Sequence, residues 1–106
     1  MMRSVVLLIS GMLPTGGDGQ LVGKGDPTAQ AEQVFQNIGA VLSAAGATFA
    51  DVVKLNIYLT DIGLRSAIAP VREACFGQNK PASTLQEISR LAHPDALLEV
   101  EAIAYL

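Results

Sequence analysis

Between residues 52 and 60 the side chains alternate without a break. Val53, Leu55, Ile57 and Leu59 fall to one side and Val52, Lys54, Asn56, Tyr58 and Thr60 to the other. A period of two sustained over this length fits a β-strand with one apolar and one mixed face, because a helix returns a side chain to the same face only every 3.6 residues. Whatever this chain folds into must contain a sheet that buries the Val53 face.

The flanking segments say what can lie against that sheet. Asp26-Pro27 supplies a helix N-cap with proline at the first helical position, and Ala31, Val34, Phe35, Ile38, Val41, Leu42 and Ala45 then recur at helical spacing up to Gly46, a C-terminal stop. Residues 48–51 read as a capping-box turn into the central strand. A second helix is predicted from about Ile62 to Gly77, with Leu64, Ala67, Ile68, Val71 and Cys75 as its stripe; Pro70 inside it predicts a kink or a shorter helix.

The continuous apolar run at residues 5–10, ending at Gly11, predicts a strand buried on both faces. A turn-rich loop follows, in which Gly16, Gly17 and Gly19 are turn residues, since no helix follows them at phosphate-loop spacing. A brief strand is expected at residues 21–23. Two further strands, at 83–89 and 97–105, are joined by the turn Ala92-His93-Pro94-Asp95. This order argues for a single α+β domain over residues 1–106, one mixed sheet with two helices on one face. Its other face, expected to carry Val52 and Tyr58, needs cover that so short a chain cannot supply, and a partner subunit is the simplest source.

Composition agrees. Half of the residues are hydrophobic and 16% are charged, a balance that favours self-association. Net charge is -3, and Arg3, Lys24, Lys54, Arg65, Arg72, Lys80 and Arg90 are scattered, which argues against nucleic acid as a partner. One cysteine excludes an intrachain disulfide, and one histidine leaves no zinc ligand set. The run after Arg3 is five residues long, short of the roughly 7 to 15 of a secretion signal. The cytoplasm is the expected compartment, with no membrane partner.

Ser10-Gly11, Asn37, Leu59-Thr60-Asp61, Phe76-Gly77, Lys80-Pro81-Ala82 and Glu99-Val100-Glu101-Ala102 follow one another in an order and spacing that resembles the RidA/YjgF (endoribonuclease L-PSP-like) family over residues 5–105. The resemblance implies a chorismate-mutase-like (YjgF) fold, a homotrimer and small-molecule clefts at the subunit interfaces. It also implies hydrolysis of enamines and imines left by pyridoxal-phosphate enzymes to a 2-oxo acid and ammonia, without metal or cofactor. Members usually carry about one more strand ahead of residue 5, with an aromatic residue that covers the ligand, and this sequence has no counterpart.

The carry-over of site residues is partial. Counting back from Arg90-Leu91, the arginine that holds the substrate carboxylate in the family falls on Ser83, and a neighbouring site position falls on Leu85. Glu99 matches the carboxylate that positions the attacking water, and Ser10 matches a serine at the cleft edge. Thr84 completes the expected substrate-binding set. A hydroxyl offers one neutral donor where a guanidinium offers a charged fork, and losing such a partner costs about 2 to 5 kcal/mol, or about 30-fold to several thousandfold in affinity.

The expectation is therefore a divergent family member that binds a small metabolite between subunits without the standard 2-imino acid deaminase activity. The alternatives are a deaminase with an anchor rearranged onto Lys80 or Arg90, and the endoribonuclease or translation-inhibitor role, which the acidic charge disfavours. For several residues plainer roles compete. Glu99 and Glu101 share a strand face on which alternating charge is common, and Ser83 and Thr84 are as readily ordinary strand residues. Asn56 and Tyr58 suit interface packing, His93 a solvated turn, Cys75 the core and Arg90 the surface.

Overall fold

The computed structural model describes residues 4–106; Arg3, counted above among the scattered cations, lies outside them. Its elements are β1 (Val6–Met12), α1 (Pro27–Ala44), β2 (Val52–Leu59), α2 (Arg65–Phe76), β3 (Ala82–Glu87) and β4 (Leu98–Tyr105), with single 3-10 turns at Phe49–Asp51 and Ile62–Leu64. The strands form one sheet in the order β1-β4-β2-β3, in which β3 runs parallel to β2 and the other pairs are antiparallel. Both helices cover the same face, so the architecture is the mixed sheet expected.

Local chemistry sets the helix ends. The Asp26 carboxylate accepts the Ala29 N–H at 3.1 Å with Pro27 as the first helical residue. At the other end Gly46, at φ +76, lets Ala47 N–H reach the Leu42 carbonyl at 2.8 Å and Gly46 N–H the Ser43 carbonyl at 3.0 Å. Val34, Phe35, Ile38 and Leu42 then bury fully against Leu55, Ile57, Leu59, Leu98 and Val100. Each such side chain contributes about 1.5 to 3 kcal/mol, which exceeds what propensity or capping supplies. Phe76 anchors α2, its ring edge-on to Phe35 at 6.1 Å and to Phe49 at 5.2 Å. Pro70 does not interrupt α2; it sits exposed in the second turn and forfeits only the bond its missing N–H would have made.

Two details depart from the sequence pattern. The register of β2 on β4 shifts by one between Val52 and Lys54, a β-bulge at Val53. The bulge inverts the expected phase there: Val52 is buried under the helices at 4% exposure, while Val53 is 49% exposed. In β1 the apolar run is not buried on both faces. Ile9 enters the core, but Val6 and Leu8, at 58% and 72% exposure, join Tyr105 on the uncovered side of the sheet. The expected strand at residues 21–23 is reduced to one bridge between Thr15 and Leu21.

Two amides fasten the long loop to α1. Fully buried Gln30 donates to the Gly23 carbonyl at 3.0 Å and the Asp95 carbonyl at 3.1 Å, and accepts the Leu97 N–H at 2.8 Å. Asn37 donates to the Leu13 and Thr15 carbonyls at 3.2 and 2.8 Å and accepts from Gln33. The Asn37 bonds fix the chain as it leaves β1, and those of Gln30 tie the far end of the loop to the turn ahead of β4.

Candidate functional site

The uncovered face of the sheet carries a row of polar side chains at its centre. Tyr58 of β2 pairs with Glu99 of β4, and Asn56 with Glu101, so all four project to the same side. Thr84, paired with Asn56 across β3, joins them and accepts a hydrogen bond from Lys54 Nζ at 2.8 Å. Tyr58 leans along the strand and donates its hydroxyl to Glu101 Oε1 at 2.7 Å. That bond, together with the two carboxylates nearby, holds the Tyr58 phenol above its usual pKa of 10.0. Glu101 is thus engaged, whereas half-buried Glu99 makes no hydrogen bond among the described residues.

The seat of Glu99 is made by β1. The register of β1 on β4 slips by one between Ile9 and Met12, and within this bulge Gly11 passes directly over the Glu99 carboxyl. A Cβ at position 11 would lie 2.5 Å from the carboxyl carbon and 2.5 Å from Oε1 of Glu99. Only glycine leaves that space, and Ser10 beside it is exposed on the same face. An unbonded carboxylate in such a seat is equipped to accept a proton from water or from a ligand hydroxyl.

Ser83 and Leu85 turn the other way. Ser83 pairs with Leu55 and Leu85 with Ile57, both core residues, so their side chains face the helices. Leu85 packs against the core and has no route to the uncovered face. Ser83, at the edge of the sheet, opens instead into a cavity of about 190 Å³ between β3 and the end of α2, which Arg72, Phe76 and Lys80 also line. Two strand spacings and three residues of rise put the Cα atoms of Ser83 and Glu99 about 14 Å apart, with the sheet between their side chains.

The alternative cations separate cleanly. Arg90 lies seven residues beyond Ser83, past the end of β3, and lines a different cavity with Lys24 and Asp95, themselves ion-paired at 3.8 Å. Lys80 shares the Ser83 cavity. So does Arg72, which sequence reading did not single out. His93 serves its own turn, where Nδ1 accepts the Asp95 N–H at 3.1 Å. Cys75 packs half-buried on α2, and burial pushes its thiol pKa up. Among the described residues no three His, Cys, Asp or Glu side chains are placed to hold a metal, and no helix is long and apolar enough to cross a membrane.

Residues 1–106 match the family described as endoribonuclease L-PSP. The chain belongs to the RidA/YjgF family. It is 41% identical over 99 residues to a RutC family protein of Pyrococcus horikoshii, covering 93% of this chain and 78% of the relative. To a 3-aminoacrylate deaminase, RutC, of Acinetobacter baylyi it is 33% identical over 101 residues, covering 95% and 79%. Among solved structures, the Rid-family protein YyfA of Yersinia pestis superposes with a TM-score of 0.90 at 37% identity, over 95% of this chain and 80% of that one. The RidA/YjgF fold expected from the sequence is therefore the fold found. Gln30 and Arg72 are what the sequence reading missed, and it gave Gly11 no role beyond a family landmark and Tyr58 none beyond interface packing. Gln30 did leave a signal, an amide inside the apolar stripe of α1.

Proposed function

We propose that this RidA/YjgF-family chain forms a homotrimer and holds a small metabolite in clefts between subunits, where Ser83 from the edge of one sheet approaches Glu99 on the open face of the next. The observation that carries this reading is the opposite orientation of those two side chains: a ligand that touches both needs two copies of the chain. The apolar end of the same face supports it. Burying Val6 and Leu8 against a neighbour would gain about 1.5 to 3 kcal/mol for each. A cytoplasmic setting fits the single free thiol.

In this reading the cleft lacks the standard 2-imino acid deaminase activity, because the strand position that would clamp a carboxylate carries a hydroxyl. The test is ammonia release from freshly generated 2-aminoacrylate. We expect the native protein to stay near the uncatalysed rate and Ser83→Arg to exceed it by about 30-fold or more, the equivalent of about 2 kcal/mol of restored binding. A native rate equal to that of an authentic deaminase would establish the second reading, an enamine/imine deaminase with a rearranged anchor. The unbonded Glu99 carboxylate favours that reading, since it could take a proton from the water that adds to the imine carbon and return it to the nitrogen, whose bond to that carbon then breaks to release ammonia. An endoribonuclease role has no such support, and the net charge of -3 opposes it.

A further inference from the structure

The end of β3 remote from Ser83 opens onto a second and larger cavity, of about 340 Å³. It lies where β2 and β3, which run parallel, both deliver their carboxyl ends: Thr60 follows β2, and Ser89 and Arg90 follow β3. Open sheets take ligands at that end of parallel strands, where loops held still by the strands gather their side chains. Lys24, just ahead of α1, and Asp95, just ahead of β4, complete the walls.

Three charges line this cavity. Lys24 Nζ stands 3.8 Å from Asp95 Oδ2, a long and exposed ion pair that is readily shared with a ligand. Arg90 makes no salt bridge among the described residues. The nearby Asp26 carboxylate is turned to the Ala29 N–H, where the partial positive charge at the start of α1 offsets it. The walls are also braced from beneath. Fully buried Gln30 donates to the carbonyls of Gly23, beside Lys24, and of Asp95, and His93 Nδ1 accepts the Asp95 N–H at 3.1 Å. Two segments far apart in sequence are thus fixed against each other before any ligand arrives, which lowers the ordering cost of binding.

We infer that this cavity binds an acidic α-amino acid such as glutamate, its α-ammonium and α-carboxylate lying head to tail on the Asp95–Lys24 pair and its side-chain carboxylate on Arg90. The site is separate from the intersubunit cleft and does not rest on it.

Charge and geometry select that ligand class together. Two cations and one carboxylate match, charge for charge, a molecule with two carboxylates and one ammonium. A dicarboxylate without the amine would set an anion against Asp95, and a neutral amino acid would leave Arg90 without a partner. In an α-amino acid the nitrogen and the carboxyl carbon are about 2.5 Å apart across one tetrahedral carbon, so both groups meet an ion pair of 3.8 Å at once. The planar fork of Arg90 then takes the remaining carboxylate through two parallel N–H···O bonds. A volume of about 340 Å³ corresponds to about eleven waters, room for the roughly ten non-hydrogen atoms of glutamate with its methylenes on Leu91 and Pro94.

The experiment is calorimetric titration of the full chain with L-glutamate, glutarate and L-glutamine at constant ionic strength, repeated on Asp95→Asn and Arg90→Gln. The native protein should take up one L-glutamate per chain, at least about tenfold more tightly than either analogue. Asp95→Asn should remove the preference over glutarate, which lacks the amine, and Arg90→Gln the preference over glutamine, which lacks the second carboxylate. Thermal melting of the unliganded variants should be unchanged, because Gln30 and His93 hold the backbone at Asp95 and Arg90 is exposed; this separates lost binding from lost folding. Equal binding of glutarate or glutamine to the native protein would overturn the inference, as would glutamate binding indifferent to both substitutions. Absence of glutamate binding at millimolar concentration would overturn it too. The intersubunit cleft is judged separately, by the ammonia assay and the subunit count.

Discussion

Ser83 and Glu99 stand on opposite faces of one sheet: Ser83 pairs with Leu55, fully buried under the helices, and Glu99 pairs with Tyr58 on the face they leave open. A single copy cannot close both around a ligand, so assembly and ligand binding should fail together. Leu8, 72% exposed on the open face, is the residue to test. Leu8→Glu places a charge where a neighbour should pack, at a cost of several kcal/mol if that contact is dry. The native protein should sediment at about three times the chain mass of 11.1 kDa and the variant as a folded monomer, which in the Ser83→Arg background should release ammonia no faster than the uncatalysed rate. A native monomer would remove the basis for an intersubunit cleft.

Gly11 offers a way to move Glu99 without mutating it. In Gly11→Ala the new methyl would claim the space of the Glu99 carboxyl, with contacts of 2.5 Å to its carbon and to Oε1. The displaced atoms are the far end of a flexible side chain on a half-exposed face, so the loss of stability should stay below about 1 kcal/mol. Chemistry that depends on Glu99 should suffer more. Placed in the Ser83→Arg background, Gly11→Ala is expected to lower ammonia release by about tenfold or more while urea unfolding shifts little. An unchanged rate would show that the location of the Glu99 carboxyl is immaterial.

Gln30 has the opposite profile, with much structure and no chemistry. Its amide satisfies the carbonyls of Gly23 and Asp95 and the N–H of Leu97, and it is fully buried. Gln30→Ala strands those groups and should cost about 2 to 4 kcal/mol, the usual penalty for unpaired buried polar groups. Urea unfolding should show a lower midpoint at unchanged slope. A shift worth less than about 1 kcal/mol would mean that water replaces the amide.

The order of elements was legible because each strong local signal agreed with the packing. Asp26-Pro27 and Gly46 bound α1 where the capping argument put them, and the period of two located β2. What escaped depended on register. The bulge at Val53 exchanges the faces of Val52 and Val53, and the bulge at Ser10-Gly11 creates the seat of Glu99; an inserted residue leaves no mark in an apolar pattern. The division of the site had the same origin. Ser83, Thr84 and Leu85 are consecutive in sequence, so a strand must send Thr84 to one face and its neighbours to the other. Arg72 was invisible for a different reason, since only the packing of α2 against the start of β3 brings a helix cation to a strand serine.

Tyr58 supplies a prediction in pH. Its hydroxyl donates to Glu101, and the charges of Glu101 and Glu99 add to the bond in raising its pKa above the unfolded value of 10.0. Because the folded value is the higher one, the native state binds this proton more tightly than the unfolded chain does. The associated stability is present in full below pH 10 and is lost as pH rises through the folded pKa. Tyr58→Phe keeps the ring, removes the donor, and should abolish that part of the alkaline decline while freeing Glu101 to bond elsewhere. Ultraviolet titration should reveal a phenol ionising above pH 10 in the native protein and missing from the variant. Identical alkaline stability profiles for the two proteins would mean that the bond to Glu101 does not persist in solution.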